Sequence, residues 1–226
     1  MKLKSFLASL CLTAVLVACS GSVTNNLAIS NESSEGFFHL SDSEAWIEYD
    51  AADGMVVDDT AESSYTIVVA VPGIDRVFLH NPGANNCFYA SDVSEKALKK
   101  ADHFHFGYPT IMESMFANEG SELVTLMKKV KEAGLTTSLD LSAVDPDSPA
   151  GAADWDAILK KTLPYVDFFV PSAEELCYML DEEKMHTWER LAEEKGKDIT
   201  EVIDINKDIK PLAQKCMEYG AKVLII

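Results

Sequence analysis

Acidic side chains, a tyrosine and a helix start each follow an apolar segment of this 226-residue chain. Gly107-Tyr108-Pro109 follows the first segment, Asp140 and Asp145-Pro146-Asp147 follow the second, and Ser172-x-x-Glu175 follows the third. In open parallel sheets, ligands bind beyond the carboxyl ends of the strands. If the segments are neighbouring strands, these groups form a cradle for Mg²⁺ and a phosphorylated ligand, with a helix N-terminus facing the phosphate.

Each of these groups also has a purely structural interpretation. Ser172 and Glu175 are spaced as a capping box, in which both side chains bind N–H groups at a helix start. The run from Asp145 to Pro149 is ordinary turn chemistry. His103 and His105 lie on one face of a predicted strand and could ligate a metal together. Without a CxxC, an HExxH or a third ligand nearby, strand histidines packed under a helix are the alternative.

The elements that position these groups alternate along the chain. Hydrophobic periodicity predicts helices and strands in turn from residue 92 onward. The helices are expected at 92–100, 122–133, 155–163, 173–180 and 208–219, and the strands at 103–107, 135–141, 166–170 and, as a buried apolar strand, 222–226. Such βα units predict an α/β fold, with a parallel sheet and helices on both faces.

A β-hairpin is predicted upstream of the alternating elements. The β-branched run from Ser64 to Val71 is followed by the turn residues Pro72-Gly73-Ile74-Asp75 and a second apolar run, from Arg76 to His80. Two such runs joined by turn residues indicate antiparallel pairing.

Composition excludes several classes of function. The chain has 19 Lys and Arg against 37 Asp and Glu, a net charge of -18, and 47% hydrophobic residues. This is the composition of a globular protein, with length for one large domain or two small ones. A chain this acidic lacks the cationic surface that nucleic acids and anionic membranes require. Any phosphate must be bound locally, by backbone N–H groups, a metal or a few placed cations.

The first 20 residues have the pattern of a signal peptide or lipoprotein leader. Lys2 and Lys4 precede an apolar run from Phe6 to Ala18 that is too short to span a membrane. The run ends at Cys19, which resembles the cysteine lipidated in a bacterial lipobox. The alternative is a buried first strand. If the leader is genuine, Cys87, Cys177 and Cys216 remain, which indicates neither a disulfide framework nor a zinc site.

Four stretches of the chain follow one another in the order and spacing of a known family. They are Pro72 to Asn85, Ala101 to Pro109, Ala133-Gly134 leading into Ser138-Leu139-Asp140, and Leu163 to Glu175. From Ser64 onward the chain resembles the PfkB-type, ribokinase-like kinases, which use ATP to phosphorylate sugar or nucleoside hydroxyls and include adenosine kinase. The resemblance implies a three-layer α/β/α fold with a small β-hairpin lid, and ATP and Mg²⁺ as cofactors of intact relatives.

The resemblance also implies roles for individual residues. The hairpin is expected to cover the sugar, with Gly83 and Asn85 near the substrate and Glu175 near Mg²⁺. A fainter match, from Gly21 to Leu27, implies that one of its two asparagines contacts the substrate, and ungapped spacing favours Asn25 over Asn26. Gly36-Phe37-Phe38 resembles a shortened family segment. Ser172 stands where the family has the asparagine of its Asn-x-x-Glu motif.

A further departure concerns catalysis. The family's Gly-Ala-Gly-Asp motif, whose aspartate is the catalytic base, does not occur in these residues, so no catalytic residue is assigned. We therefore expect a leader at 1–20, a degenerate linker or family remnant at 21–60 and a partial kinase domain at 61–226, incomplete at both ends. This chain is expected to be inactive and to bind neither ATP nor Mg²⁺.

Two interpretations of partners and location remain open. The first is a kinase-family protein whose partner is a small sugar or nucleoside, with a homodimer formed through the lid and, as in its family, a cytoplasmic location. The second is a non-catalytic lipoprotein on a kinase-like scaffold, tethered to a membrane through Cys19.

Overall fold

The computed structural model describes residues 56, 58–70 and 77–226, together with the backbone of four short upstream strands. These strands are β1 (Ala14–Val17), β2 (Leu27–Ile29), β3 (Phe37–Leu40) and β4 (Ile47–Glu48). The last three form an antiparallel sheet. Apart from the backbone of β1, the predicted leader lies outside the described residues, as do Cys19 and Asn25.

The predicted hairpin is confirmed. Strand β5 (Tyr65–Val69) pairs antiparallel with β6 (Val77–Asn81), and Thr66 lies directly opposite His80. Most of its apolar side chains are exposed on both faces; Ile67 and Val68, which point to opposite faces, are 54% and 50% exposed. The hairpin is a separate two-stranded sheet.

The predicted parallel sheet is also confirmed, and with it the α/β fold class. It contains β7 (His103–Phe106), β8 (Thr136–Asp140), β9 (Phe168–Val170) and β10 (Val223–Leu224), which are mutually parallel and lie in that order. Strand β1 runs antiparallel along the outer edge of β7.

Helices follow the strands largely as predicted. They are α1 (Glu95–Leu98), α2 (Glu113–Glu132), α3 (Trp155–Thr162), α4 (Ala173–Leu180), α5 (Glu182–Lys195) and α6 (Lys210–Tyr219). Helix α1 is shorter than expected, and α5 was not expected. Helix α2 is broken at residues 117–120, where the backbone leaves the helical conformation. No helix within the described residues is long and apolar enough to cross a bilayer.

The two faces of the sheet differ. Phe104, Phe106, Leu139 and Phe169 are fully buried on one face, in one core cluster with the apolar residues of the helices. The other face carries side chains that alternate with these, among them His103 and His105, which are half-buried. Within the described part of the chain, the apolar core therefore lies on one side of the sheet.

The expectation of a buried strand at 222–226 is wrong. Val223, Ile225 and Ile226 are 40%, 51% and 51% exposed. Strand β10 pairs with β9 on one side, and no described strand pairs with its other side. An apolar sequence alone does not distinguish a covered strand from an uncovered edge strand.

The segment that joins the hairpin to β7 is fixed along α2. Lys129 Nζ donates to the carbonyl oxygens of Ala90 and Val93, both at 2.7 Å, and the Ala90 N–H donates to the Glu122 carboxylate at 2.6 Å. Asn86 Oδ1 accepts a hydrogen bond from the Glu113 N–H at 2.9 Å. These bonds hold residues 86–93 along α2, and the bond of Asn86 places the beginning of that segment at the first turn of the helix.

Candidate functional site

The carboxyl ends of β7 and β8 meet as the sequence predicts. A Cβ atom on Gly107 would lie 3.2 Å from Asp140 Cβ, so the two strand ends are in close contact. Asp140 is half-buried, and its Oδ1 accepts the Leu141 N–H at 2.9 Å. Burial raises the pKa of Asp140, against the opposing effects of that N–H and of His105. Asp140 is therefore a carboxyl group at the edge of the sheet that binds a proton more readily than an exposed aspartate does.

Tyr108 shares this edge with two carboxylates. Its side chain is 40% exposed. Burial raises the pKa of the Tyr108 hydroxyl, and the charges of Asp140 and Glu175 raise it further. The three groups that the sequence placed after three different strands therefore lie within one electrostatic environment. Tyr108 stays protonated there and is available as a hydrogen-bond donor.

The start of α4 is a capping box, as its structural interpretation proposed. Ser172 Oγ accepts the Glu175 N–H at 3.1 Å, and Glu175 Oε2 accepts the Ser172 N–H at 2.9 Å. These bonds fix the first turn of the helix. One oxygen of Glu175 is engaged in helix capping.

The acidic residues do not assemble into a metal site within the described residues. No group of three or more His, Cys, Asp or Glu side chains there is placed to hold an ion. Asp145 Oδ1 accepts the Asp147 N–H at 3.0 Å, which is turn chemistry. The role of Glu175 near Mg²⁺ stays a prediction.

The paired histidines of β7 are bound to hydroxyl groups of β8. His103 Nδ1 and Nε2 lie 2.8 Å from Thr136 Oγ1 and Ser138 Oγ, and His105 Nδ1 lies 2.8 Å from the same Ser138 oxygen. Burial lowers the pKa of His103, with a further contribution from His105. These contacts engage three of the four ring nitrogens with hydroxyl groups, and within the described residues the pair belongs to no group of three or more potential metal ligands.

Gly83 occupies a turn that packs tightly against the residues just before β5. Its φ is +49°, and a Cβ atom there would lie 2.4 Å from the Glu62 carbonyl oxygen and 2.8 Å from the Ser64 nitrogen. The next residue, Ala84, donates its N–H to the same Glu62 oxygen at 2.8 Å. Gly83 therefore acts through backbone shape, while Asn85 provides a polar side chain two residues later.

Three buried polar atoms at the root of the hairpin have no hydrogen-bond partner. They are Ser64 Oγ, His80 Nε2 and Asn85 Nδ2. Asn85 was expected near a substrate, whereas Ser64 and His80 were missed. Their polarity within an apolar hairpin is visible in the sequence, but their burial and their missing partners follow only from the strand register.

Comparisons with known proteins agree with this architecture. The model of the pfkB family of carbohydrate kinases matches residues 51–226. A fructokinase with bound ATP from Xylella fastidiosa is 20% identical with a TM-score of 0.50, and the match covers 77% of this chain and 47% of that one. A PfkB protein from Polaromonas sp. JS666 is 19% identical with a TM-score of 0.49, covering 75% and 49% of the two chains.

A ribokinase from Giardia lamblia is 16% identical with a TM-score of 0.45, over 72% of this chain and 40% of that one. The chain thus spans about half the length of these solved structures. No curated protein matches it. The likeness to the fructokinase supports a ribokinase-like α/β fold.

Proposed function

Because the chain belongs to the pfkB family of carbohydrate kinases, we propose that its described residues form the substrate-binding part of a sugar or nucleoside kinase. The match of the family model to residues 51–226 carries this proposal. The fructokinase and ribokinase among the similar structures favour a sugar, and the fructokinase holds ATP.

The geometry of the sheet edge supports this function. Tyr108, Asp140 and Glu175 surround the carboxyl ends of three parallel strands, which is the usual ligand-binding edge of such sheets. The segment bearing Asn85 is tied to the start of α2, beside the same edge. Neutral hydroxyl groups, which donate and accept hydrogen bonds, suit this mixture of acceptors and donors.

Phosphoryl transfer needs more than substrate binding. It depends on charge neutralisation around the phosphoryl group and on a base aligned with the attacking hydroxyl. The family resemblance places that base in a Gly-Ala-Gly-Asp segment, and these 226 residues do not include one. We therefore propose that the 226-residue chain by itself binds a sugar or nucleoside and does not phosphorylate it.

Two measurements test this proposal. Isothermal titration calorimetry with fructose, ribose and adenosine is expected to show binding of at least one of them. An assay of ADP release with ATP and Mg²⁺ is expected to give the same background for the wild type and for Glu175→Ala. Turnover by the wild type above that control would overturn the proposed inactivity, and absence of binding would overturn the proposed function.

The hairpin is also our proposed surface for a homodimer. Ile67, Val68, Val77 and Leu79 are each at least half exposed. A two-stranded sheet with apolar side chains on both faces is not stable alone in water, and burial against a second copy would remove that surface from solvent. Sedimentation of the wild type and of Ile67→Lys is expected to give a dimer and a monomer, respectively. A wild-type monomer at all concentrations would contradict this.

The location of the protein has two alternatives, the cytoplasm and a membrane to which the chain is tethered. We consider the membrane tether here. It rests on Cys19 and the leader-like residues before it. Mass spectrometry of the mature N-terminus distinguishes the two locations. A lipidated Cys19 supports a tethered binding protein, whereas a retained Met1 or an unmodified Cys19 supports the cytoplasmic location that the kinase family implies.

A further inference from the structure

A chain of side-chain hydrogen bonds connects β8 with β7 and ends near the carboxyl edge of the sheet. Thr136 Oγ1 donates to the Asp102 carbonyl oxygen at 2.9 Å and lies 2.8 Å from His103 Nδ1. Ser138 Oγ lies 2.8 Å from both His103 Nε2 and His105 Nδ1. Because each hydroxyl group has a single hydrogen to donate, these contacts determine which ring nitrogens carry a hydrogen.

The threonine end sets the direction of the chain. The Thr136 hydrogen lies between Oγ1 and the Asp102 carbonyl oxygen, since two oxygen atoms 2.9 Å apart would repel each other without a hydrogen between them. Thr136 Oγ1 therefore accepts from His103, whose Nδ1 carries the hydrogen. Burial lowers the pKa of His103, which keeps the ring neutral at neutral pH. Its Nε2 is then a hydrogen-bond acceptor.

The same reasoning gives the hydrogen positions of His105. Ser138 donates its one hydrogen to the bare Nε2 of His103, so it accepts from Nδ1 of His105. In the neutral His105 ring, Nε2 then carries no hydrogen and is an acceptor. The bond from Nδ1 to the serine oxygen also polarises the ring, which makes Nε2 a stronger acceptor.

Nε2 of His105 lies beside the predicted ligand-binding edge and remains accessible. No described residue forms a hydrogen bond with it, and it is not one of the closed atoms at the hairpin root. A Cβ atom on Gly107 would lie 3.8 Å from this nitrogen and 3.2 Å from Asp140 Cβ, which places the nitrogen beside the ends of β7 and β8. Since residue 107 is a glycine, no side chain covers Nε2 from that position.

We propose that His105 Nε2 accepts a hydrogen bond from a hydroxyl group of the bound sugar or nucleoside, and that Ser138 is the positioning residue that keeps this nitrogen free of hydrogen. The inference rests on the proposed function and adds to it one residue that contacts the ligand and one that acts through it. Phosphate and carboxylate oxygens are acceptors like the bare nitrogen and are repelled by it, whereas a hydroxyl group donates. His105 therefore selects for a neutral hydroxyl group at this point of the edge.

Nitrogen NMR of the ligand-free protein tests the hydrogen positions without any sugar. The chemical shift of a ring nitrogen shows whether it carries a hydrogen. In the wild type at neutral pH, His105 is expected to carry a hydrogen on Nδ1 and none on Nε2. In Ser138→Ala, which lacks the hydroxyl group, a mixture of the two neutral forms of His105 is expected. A hydrogen on Nε2 in the wild type would overturn the proposal.

Calorimetry with fructose, ribose and adenosine tests the contact with the ligand. His105→Phe keeps a ring but removes both nitrogens, so it is expected to weaken binding about tenfold, the effect of losing one hydrogen bond to the ligand. Ser138→Ala is expected to weaken binding severalfold, because only the molecules with a bare Nε2 bind. His186→Phe, which alters an exposed histidine of α5, is the matched control and is expected to bind like the wild type.

The outcomes distinguish this inference from the proposed function. If the wild type binds none of the three ligands, the proposed function is overturned, and the contact of His105 with it. If the wild type binds and both variants bind equally well, only the contact is overturned. Weaker binding by Ser138→Ala with an unchanged His105 spectrum would overturn the positioning role. Weaker binding together with mixed hydrogen positions supports it, and this variant provides the test on its own if His105→Phe does not fold.

Discussion

Asp167 is a buried carboxylate at the amino end of β9, opposite the candidate site. Its Oδ1 lies 2.6 Å from Lys222 Nζ, and its Oδ2 binds Lys131 Nζ and accepts the Thr137 N–H at 2.9 Å. Burial would raise the pKa of Asp167, but the hydrogen bonds from the two lysines and from Thr137 outweigh it and hold the pKa far below its ordinary value. The charged form is thus built into the folded state, where it joins the starts of β8 and β9 to Lys222 beside β10.

Removing the charge of Asp167 is expected to destabilise the folded protein. Asp167→Asn should reduce the free energy of unfolding by about 3 kcal/mol, at the lower end of the range for a broken buried ion pair because both lysines reach solvent. Urea unfolding measures the change. Asp102→Asn, which neutralises an exposed aspartate just before β7, is the matched control and is expected to change stability by less than about 0.5 kcal/mol. Equal effects of the two substitutions would contradict the argument.

The same group predicts a pH dependence. The pKa of Asp167 is depressed in the folded state, so its contribution to stability is fully present above the unfolded pKa of about 4 and is lost as pH falls below that value. The wild type is therefore expected to lose more stability than Asp167→Asn between neutral pH and about pH 3. If the free energy of unfolding fell equally with pH in the two proteins, Asp167 would not be the source of this pH dependence.

At the scale of elements, the turn at Gly83 holds the two ends of the hairpin together, because it packs against the backbone of residues 62–64. Gly83→Ala is expected to reduce stability by clearly more than about 1 kcal/mol, because the new Cβ is forced into a positive φ and would meet backbone atoms at 2.4 Å and 2.8 Å. Gly196→Ala is the matched control. Gly196 has a similar φ of +59° but nothing within 4 Å of its Cβ position, so only the conformational cost remains. Urea unfolding of both variants gives the difference, and equal losses would show that the close approach at Gly83 is unimportant.

Elements with strong local signals could be predicted from the sequence. The capping residues Ser172 and Glu175 gave the start of α4, and Gly220 gave the end of α6. Helix α5 was not predicted, because its apolar period is sparse: Met185, Trp188 and Ala192 recur at helical spacing, but only the last two are buried and charged residues dominate its length. The first turn of α2 was also missed, since Asn118 and Glu119 adopt positive φ values and separate it from the rest of the helix.

The candidate site divides in the same way. Tyr108 and Asp140 were found because they directly follow strands, and the end of a parallel strand is a feature that sequence shows. Ser64 and His80 were not found, because their significance lies in missing hydrogen-bond partners. That property depends on the register of β5 against β6 and on the packing of the Gly83 turn, and no local pattern encodes either.

At the scale of the whole molecule, the sheet is covered on one face and has an apolar edge at β10. The buried strand residues and the helices form a single cluster on the covered side. On the other side, Phe168 is 37% exposed and lies opposite Val223, which is 40% exposed. Ile225 and Ile226, each 51% exposed, follow along the same edge, where no described strand pairs with the outer side of β10. Such an edge favours pairing with other chains and aggregation.

This surface predicts how the 226-residue chain behaves in concentrated solution. Ile225→Lys is expected to raise the concentration at which light scattering detects aggregates, because an edge lysine opposes strand pairing between molecules. The Ile225 N–H bond to the Phe169 carbonyl, at 2.9 Å, does not involve the side chain, so the free energy of unfolding should change by less than about 0.5 kcal/mol. Ile205→Lys is the control, since Ile205 is 73% exposed but lies in the π-helical segment Ile205–Ile209. Both variants change the net charge equally, so a gain confined to Ile225→Lys assigns aggregation to the strand edge. An equal gain in both would assign it to surface hydrophobicity in general.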